Sequence, residues 1–232
     1  GRVCANGRTG GGIDEREIVA CWNAETGAKL WEHTFSVTNT TVPFNRVGWG
    51  SVTGDPETGY LYVPSRTGPI VVQIVEADPE SSDVRYRRGG ERSAAGPQGL
   101  PLFKPPYARV TAYDLNSGER AWMVPHGNGI RQQLIDVGIP DPGPVGGGGY
   151  TGPLLTPNLL FLGHSGGRAT REPPVLRAFD KGSGTVVHET ELPVTPSGTP
   201  MTYMAGGRQF IVMAYGAGEE SGLMALALPT SP

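Results

Sequence analysis

The sequence predicts an all-β protein assembled from repeated small sheets, and three observations lead there. The first is self-similarity: VACWNAETGAKLWE (residues 19–32), VTAYDLNSGERAWM (110–123) and LRAFDKGSGTVVHE (176–189) are one phrase written three times. Each is a β-type run that ends in an aromatic followed by Asn or Asp, then a short turn holding Gly, then a second run opening toward Trp or His. The second is that no helical periodicity is sustained over four turns anywhere in the 232 residues. The third is that Gly 36 and Pro 22 make up a quarter of the chain. They fall largely at turn positions between apolar runs, which marks a turn-rich β protein rather than a disordered one.

The hairpin can be justified residue by residue. Asn23, Asp114 and Asp180 stand where a short polar side chain can bond the turn backbone, and Gly27, Gly118 and Gly184 supply its positive φ. Trp22, Tyr113 and Phe179 precede the acid on strands otherwise built of Val, Ala and Leu. A face of that kind cannot bury itself within one hairpin, so successive units must stack, as in a solenoid or a propeller. The turn glycines lie 91 and 66 residues apart, which places an insertion of about 25 residues in the first gap. Residues 66–108, charged and Pro-rich around YRRGGERSAAGPQG, are assigned to that insertion and kept out of the core.

In chain order the first unit, residues 1–37, has strands at 2–5, 18–22 and 29–35, the first two joined by the polar loop GRTGGGIDERE. A fourth strand is expected upstream of Gly1, so the chain is expected to be a piece of a longer one. The second unit, 49–125, opens on the DPETG turn and the strand YLYVP, passes through the insertion, and closes with strands at 109–114 and 120–124. The third, 151–193, holds strands at 152–156, 159–163, 175–180 and 186–192 after the Gly loop GIPDPGPVGGGGYTG. The fourth, 198–229, holds PMTYM, QFIVMA and LMALALP. Together they make a single domain of three to four four-stranded sheets.

Bulk properties narrow the function. A formal net charge of −3, a pI near 5.8 and scattered Lys and Arg argue against nucleic acid as a partner. No apolar run reaches the roughly 20 residues of a membrane span, and no signal peptide is visible. Cys4 and Cys21 fall on neighbouring strands. Two buried thiols is the simpler expectation, and a cross-strand disulfide, which would suit an oxidising compartment, is the alternative.

Several motifs read as structure rather than chemistry. GHSGG (163–167) fits the nucleophile-elbow pattern, with Asp180 and His188 following Ser165 in hydrolase order. That chemistry needs a strand-to-helix turn, whereas the residues after Ser165 contain two prolines and enter a strand. GGGG (146–149) lacks the Lys and Ser of a phosphate-binding loop. His33, His126, His164 and His188 are dispersed without the spacing of a zinc site and are expected to be packing or solvent histidines. Trp31 and Trp122 occupy equivalent positions and are expected to pack one sheet on the next.

The phrases AETGAKLWE, DPETGYLYVPS, GLPLFKPPYARVTAYDLNSGERAWMVP, GPLLTPNLLFLG, LRAFDKGSG and TPMTYMAGGRQFIVMAYG, in that order, resemble the C-terminal part of the pyrroloquinoline quinone (PQQ) dependent dehydrogenases of the membrane glucose/quinate type. The resemblance is close over residues 55–229, where KPPY, AYDLNSG and PMTY are its specific elements. The first 54 residues are more similar to general PQQ-like repeat proteins. The resemblance implies a partial β-propeller, about three to four blades of an eight-bladed ring. It also implies PQQ with Ca²⁺ or Mg²⁺ near the axis, a sugar or alcohol substrate, a quinone or cytochrome as electron acceptor, and a periplasmic or periplasm-facing location. It places the catalytic Asp upstream of Gly1, so no catalytic residue is nominated here. Its cofactor-facing positions map onto Gly48, Trp49, Gly149 and Thr151, with residues 147–152 and 200–203 in loops near the axis. Gly48 stands where the glucose type carries an Asn that contacts the cofactor. The resemblance further implies that the open blade faces meet missing N-terminal blades or another copy. A propeller without redox chemistry, serving as a protein- or ligand-binding scaffold, is the alternative reading.

Overall fold

A computed structural model of the chain describes residues 1–9, 16–34, 44–47, 52–68, 70–93, 96–147, 149, 151–166, 172–216 and 221–228. The first sheet is β1 (Arg2–Thr9), β2 (Arg16–Asn23) and β3 (Lys29–Thr34). The second combines β4 (Phe44–Val47), β5 (Thr53–Asp55) and β6 (Tyr60–Gly68) with β9 and β10, after β7 (Ile70–Glu76) and β8 (Tyr86–Ser93) have formed a separate hairpin. β9 (Ala108–Asp114) pairs directly with β6 from Tyr60↔Asp114 to Arg66↔Ala108, and β10 (Arg120–Pro125) pairs with β9. A six-residue helix, α1 (Arg131–Asp136), lies in the connection to the third sheet. That sheet runs β11 (Leu154–Leu155), β12 (Leu159–His164), β13 (Val175–Asp180), β14 (Val186–Glu191) in spatial order. The fourth is β15 (Pro196–Ala205), β16 (Arg208–Tyr215) and β17 (Gly222–Ala227). Among the described residues every strand pair is antiparallel.

The period of two along a strand explains how the sheets become blades. In β6, Leu61 and Val63 point to the first sheet and pack with Val19 and Tyr113, while Tyr60 and Tyr62 point the other way. Tyr62, Val110 and Ala112 then meet Leu160, Leu162 and Phe179 of the third sheet. Phe161 and Leu176 face the fourth sheet, where Met213 is buried. Sheet follows sheet face to face, and the middle two are covered on both sides.

Four turns of one design cap the strands at one end: Asn23 to Gly27, Asp55 to Gly59, Asp114 to Gly118 and Asp180 to Gly184. In each, the Gly amide donates back to the acid's or amide's own carbonyl at 2.8–2.9 Å, with φ between +69° and +76°. The side-chain Oδ1 accepts the amides inside the turn, as Asn23 does from Glu25 and Thr26 and Asp114 from Asn116 and Ser117. This is the local bonding expected of Asx residues.

These turns are where blades lock. Trp31 Nε1 donates to the Leu115 carbonyl (3.3 Å), and Arg2 donates to the same oxygen (2.6 Å). One blade further on, Trp122 Nε1 donates to the Lys181 carbonyl (3.3 Å), joined there by the Tyr62 hydroxyl (3.0 Å). Leu115 and Lys181 each follow the turn acid, so one rule serves both joints. The turn glycines lie under the indoles: a Cβ on Gly118 would sit 2.8 Å from Trp31, and one on Gly184 would sit 2.6 Å from Trp122. Lys181 Nζ also reaches Asp55 (2.8 Å) and Glu57 (2.9 Å). Burial pushes the Asp55 carboxyl up, but Lys181, the Thr58 hydroxyl and the Glu57 amide together hold it below its usual value.

The structure corrects the expectation for the cysteines. Cys4 and Cys21 are directly opposite across the β1–β2 ladder and are joined as a disulfide. The insertion carries the β7–β8 hairpin, whose Ile74 and Tyr86 are exposed, while Ala77 is buried and Ala108, the last residue assigned to the insertion, belongs to the core on β9. β1 and β2 also run longer than the expected 2–5 and 18–22, pairing out to Thr9↔Arg16.

Trp122→Ala is expected to lower the unfolding free energy by about 3 kcal/mol through the lost packing, and Trp122→Phe by about 1 kcal/mol through the lost hydrogen bond. Urea unfolding followed by circular dichroism measures both. Replacing both cysteines by Ser removes a loop closed across 17 residues and should cost about 3 kcal/mol in the same assay.

Candidate functional site

The end of the blades opposite the Asx turns carries the longer connections, and its inner edge can be located from the strands. β11 touches both β5 and β15, so the first strands of successive blades converge there. Just before β11 the chain is fastened to the end of β12. Thr151 N–H donates to the Gly163 carbonyl (3.0 Å) while its hydroxyl accepts from Gly163 N–H (2.9 Å) and donates to the Gly152 carbonyl (3.0 Å). Gly149 is tied twice to Ser165, its amide donating to Ser165 Oγ at 2.9 Å and its carbonyl accepting from Ser165 N–H at 3.0 Å. Gly152 donates to Gly198 (3.1 Å), and a Cβ there would meet Thr199 Oγ1 at 2.1 Å. Gly149, Thr151 and Gly152 thus form a closely fitted wall at the inner edge, against the start of β15.

Of the predicted cofactor positions, Gly149 and Thr151 come together in this wall. Gly48 and Trp49 lie outside the described residues. The amides of Gly149 and Thr151, and the Thr151 hydroxyl, are committed to the protein. This stretch therefore fits an anionic quinone as a steric wall and not as a source of ionic contacts. Residues 200–203 lie within β15, where Pro200 is buried and the Thr202 hydroxyl donates to the Phe210 carbonyl (2.8 Å). Among the described residues no three His, Cys, Asp or Glu side chains converge as metal ligands.

A buried polar cluster backs the wall, and the dispersed histidines gave no sign of it. His126 and His164 pack edge to face, ring centres 5.3 Å apart, and Phe179 lies 5.9 Å from His126. His164 Nδ1 accepts from Gly166 N–H (3.0 Å), and its Nε2 meets the Gly147 carbonyl. Glu172 stands 3.6 Å from the same Nε2 and 4.0 Å from Arg177, whose Nε bonds Glu189. Neither ring nitrogen of His126, nor Arg177 Nη1, has a hydrogen-bond partner among the described residues. Burial above all, then the positive Arg177 and the neighbouring His164, hold His126 well below the ordinary imidazole value; the Gly163 backbone pulls weakly the other way. Burial also lowers His164, against the opposing pull of the Gly147 carbonyl and Glu172. His33 is a packing residue, stacked on Tyr113 at 4.4 Å. The signal that could have found the pair is topological: His126 ends the second blade and His164 ends β12, and both strand ends lie at the same end of adjacent sheets.

No hydrolase triad forms. Ser165 follows β12 within the third sheet, no helix lies between it and β13 among the described residues, and Asp180 caps the far end of β13, where its Oδ1 accepts from Ser183 N–H (2.8 Å). His188 is exposed on β14.

The family model described as "PQQ: Glucose/ethanol/alcohol dehydrogenase, beta-propeller domain" matches residues 43–211, which spans the second and third sheets and reaches into the fourth. The chain belongs to this family. Quinate/shikimate dehydrogenase (quinone) from Acinetobacter baylyi is 27% identical over 198 residues, covering 75% of this chain and 24% of the relative. Quinoprotein glucose dehydrogenase A from Acinetobacter calcoaceticus is 28% identical over 211 residues, covering 78% of this chain and 24% of the relative. The chain therefore spans about a quarter of the length of the curated relatives it matches. Among solved structures, the quinohemoprotein alcohol dehydrogenase of Comamonas testosteroni superposes with a TM-score of 0.53 at 18% identity, covering 93% of this chain and 34% of that one. The alcohol dehydrogenase ADHIIG of Pseudomonas putida HK5 gives 0.54 at 16% identity, with 94% and 34% covered. These superpositions establish the fold of the family member described above: an all-β partial propeller whose blades are the four stacked sheets.

Both cluster histidines have folded values below the unfolded value of about 6.5. The unfolded chain therefore takes up protons first as the pH falls through 6.5, so the stability present above that pH is lost below it. Urea midpoints are expected to fall steadily from pH 7.5 to pH 5. His126→Leu should flatten that slope, the charges facing the site being Arg177, Glu172 and Glu189.

Proposed function

We propose that the chain forms the C-terminal blades of a PQQ-dependent oxidoreductase that oxidises a sugar or alcohol and passes the electrons to a quinone or cytochrome. The observation that carries this reading is the family match through residues 43–211, which includes the inner-edge wall of Gly149, Thr151 and Gly152. When bound, PQQ would supply the two-electron acceptor. The chain's own part is to enclose it: Gly149 and Thr151 as the fitted wall and, on the family resemblance, Gly48 and Trp49 as cofactor-facing positions, Trp49 offering an aromatic ring. Ca²⁺ or Mg²⁺ and the carboxylate base come, on this reading, from blades outside the chain. A disulfide at Cys4–Cys21 supports a periplasmic location, because such bonds persist in oxidising compartments.

The test is to mix PQQ and Ca²⁺ with a polypeptide that joins this segment to the preceding blades, then measure cofactor retention by gel filtration and dye reduction with glucose, quinate or an alcohol. Retention with substrate-dependent dye reduction is expected. Trp49→Ala should weaken retention roughly tenfold, the loss of one aromatic stacking contact. Absence of any retained PQQ would instead support the scaffold reading.

A further inference from the structure

Gly147, Gly149 and Thr151 bond the third blade at the end of β12, at His164, Ser165 and Gly163. Glu172 is different. Its side chain is nine-tenths buried, and its carboxylate crosses from one connection to the other. Oε1 accepts from Asn128 N–H at 2.5 Å and Oε2 from Gly129 N–H at 3.1 Å. Gly127 and Gly129 have φ of +90° and +60°. Alternation of this kind turns successive amides to one side and makes a concave anion site from backbone alone. Here an internal carboxylate fills it, backed by His164 and Arg177.

What holds residues 127–129 also holds the wall. Gly146 N–H donates to Gly127 (2.8 Å) and Gly147 N–H to His126 (3.1 Å), so the two limbs of the connection are laced together. A Cβ on Gly129 would lie 2.2 Å from the Gly146 carbonyl oxygen, which leaves the limbs no room to slide. Two residues past Gly147 the wall begins at Gly149.

We propose that Glu172 is a positioning residue: its carboxylate occupies the backbone anion site at 127–129 and thereby fixes the Gly-rich limb that presents Gly149, Thr151 and Gly152 to the inner edge. The clasp itself stands on the geometry alone; its effect on cofactor binding rests on the reading given under Proposed function.

Hydrogen exchange by mass spectrometry on the full chain separates the two. Glu172→Gln puts an NH₂ against a backbone donor, and protection of the amides in 127–129 and 145–151 is expected to fall about tenfold, the loss of charge-assisted bonds, while β16 is unchanged. In Glu172→Gly, formate should restore that protection saturably, and chloride at equal ionic strength should not. Unchanged protection in the Gln variant would overturn the clasp, as would an equal loss in every blade or equal rescue by chloride. In the PQQ-retaining polypeptide, Glu172→Gln should raise the Kd for PQQ at least fivefold and Glu172→Asp should recover part of it. A loosened limb with unchanged Kd would overturn the presenting role. If the unsubstituted protein retains no PQQ, the functional reading fails while the exchange result still decides the clasp.

Discussion

One backbone oxygen per blade joint carries much of this architecture. The carbonyl after each turn acid, at Leu115 and at Lys181, is taken twice by the preceding blade: by an indole N–H on the outer strand and by a second donor further in. A carbonyl has two lone pairs, and both are used. The indole does more than donate, because it packs so close against the turn glycine that a Cβ there has no room. An isolated three- or four-stranded sheet with two apolar faces has no stable existence in water, so each blade depends on being fixed to the next at a set angle. The recurring Trp and Gly are the two halves of that fixture.

The sequence carried this information in readable form because the fixture is local and repeated. Asn23, Asp114 and Asp180 with their partner glycines announced the turns, and Trp31 and Trp122 announced the joints. The fourth such turn, Asp55 to Gly59, was visible as DPETG. YLYVP was legible as a strand, and the structure covers it on both sides.

What the sequence concealed depends on tertiary proximity. His126 and His164 are 38 positions apart, and only the sheet order brings their rings together. Glu172 sits among REPP, a stretch that reads as an ordinary solvated loop, yet it is the anion for amides 43 and 44 positions earlier. Cys4 and Cys21 were legible as neighbours but not as a bond, since register decides whether two strand cysteines face each other, and a shift of one residue would have separated them. At the candidate site, Gly149 and Thr151 were placed near the inner edge by resemblance alone. Their polar groups prove to be spent on holding the wall together.

The hairpin of β7 and β8 stands apart from this economy. Beneath it β6 and β9 pair without interruption, so the ladder closes whether the excursion is long or short. The entropy of a longer connection grows only with the logarithm of its length. That junction is a natural port in the scaffold, where descendants of this chain can exchange one appendage for another while the stacked blades keep their alignment.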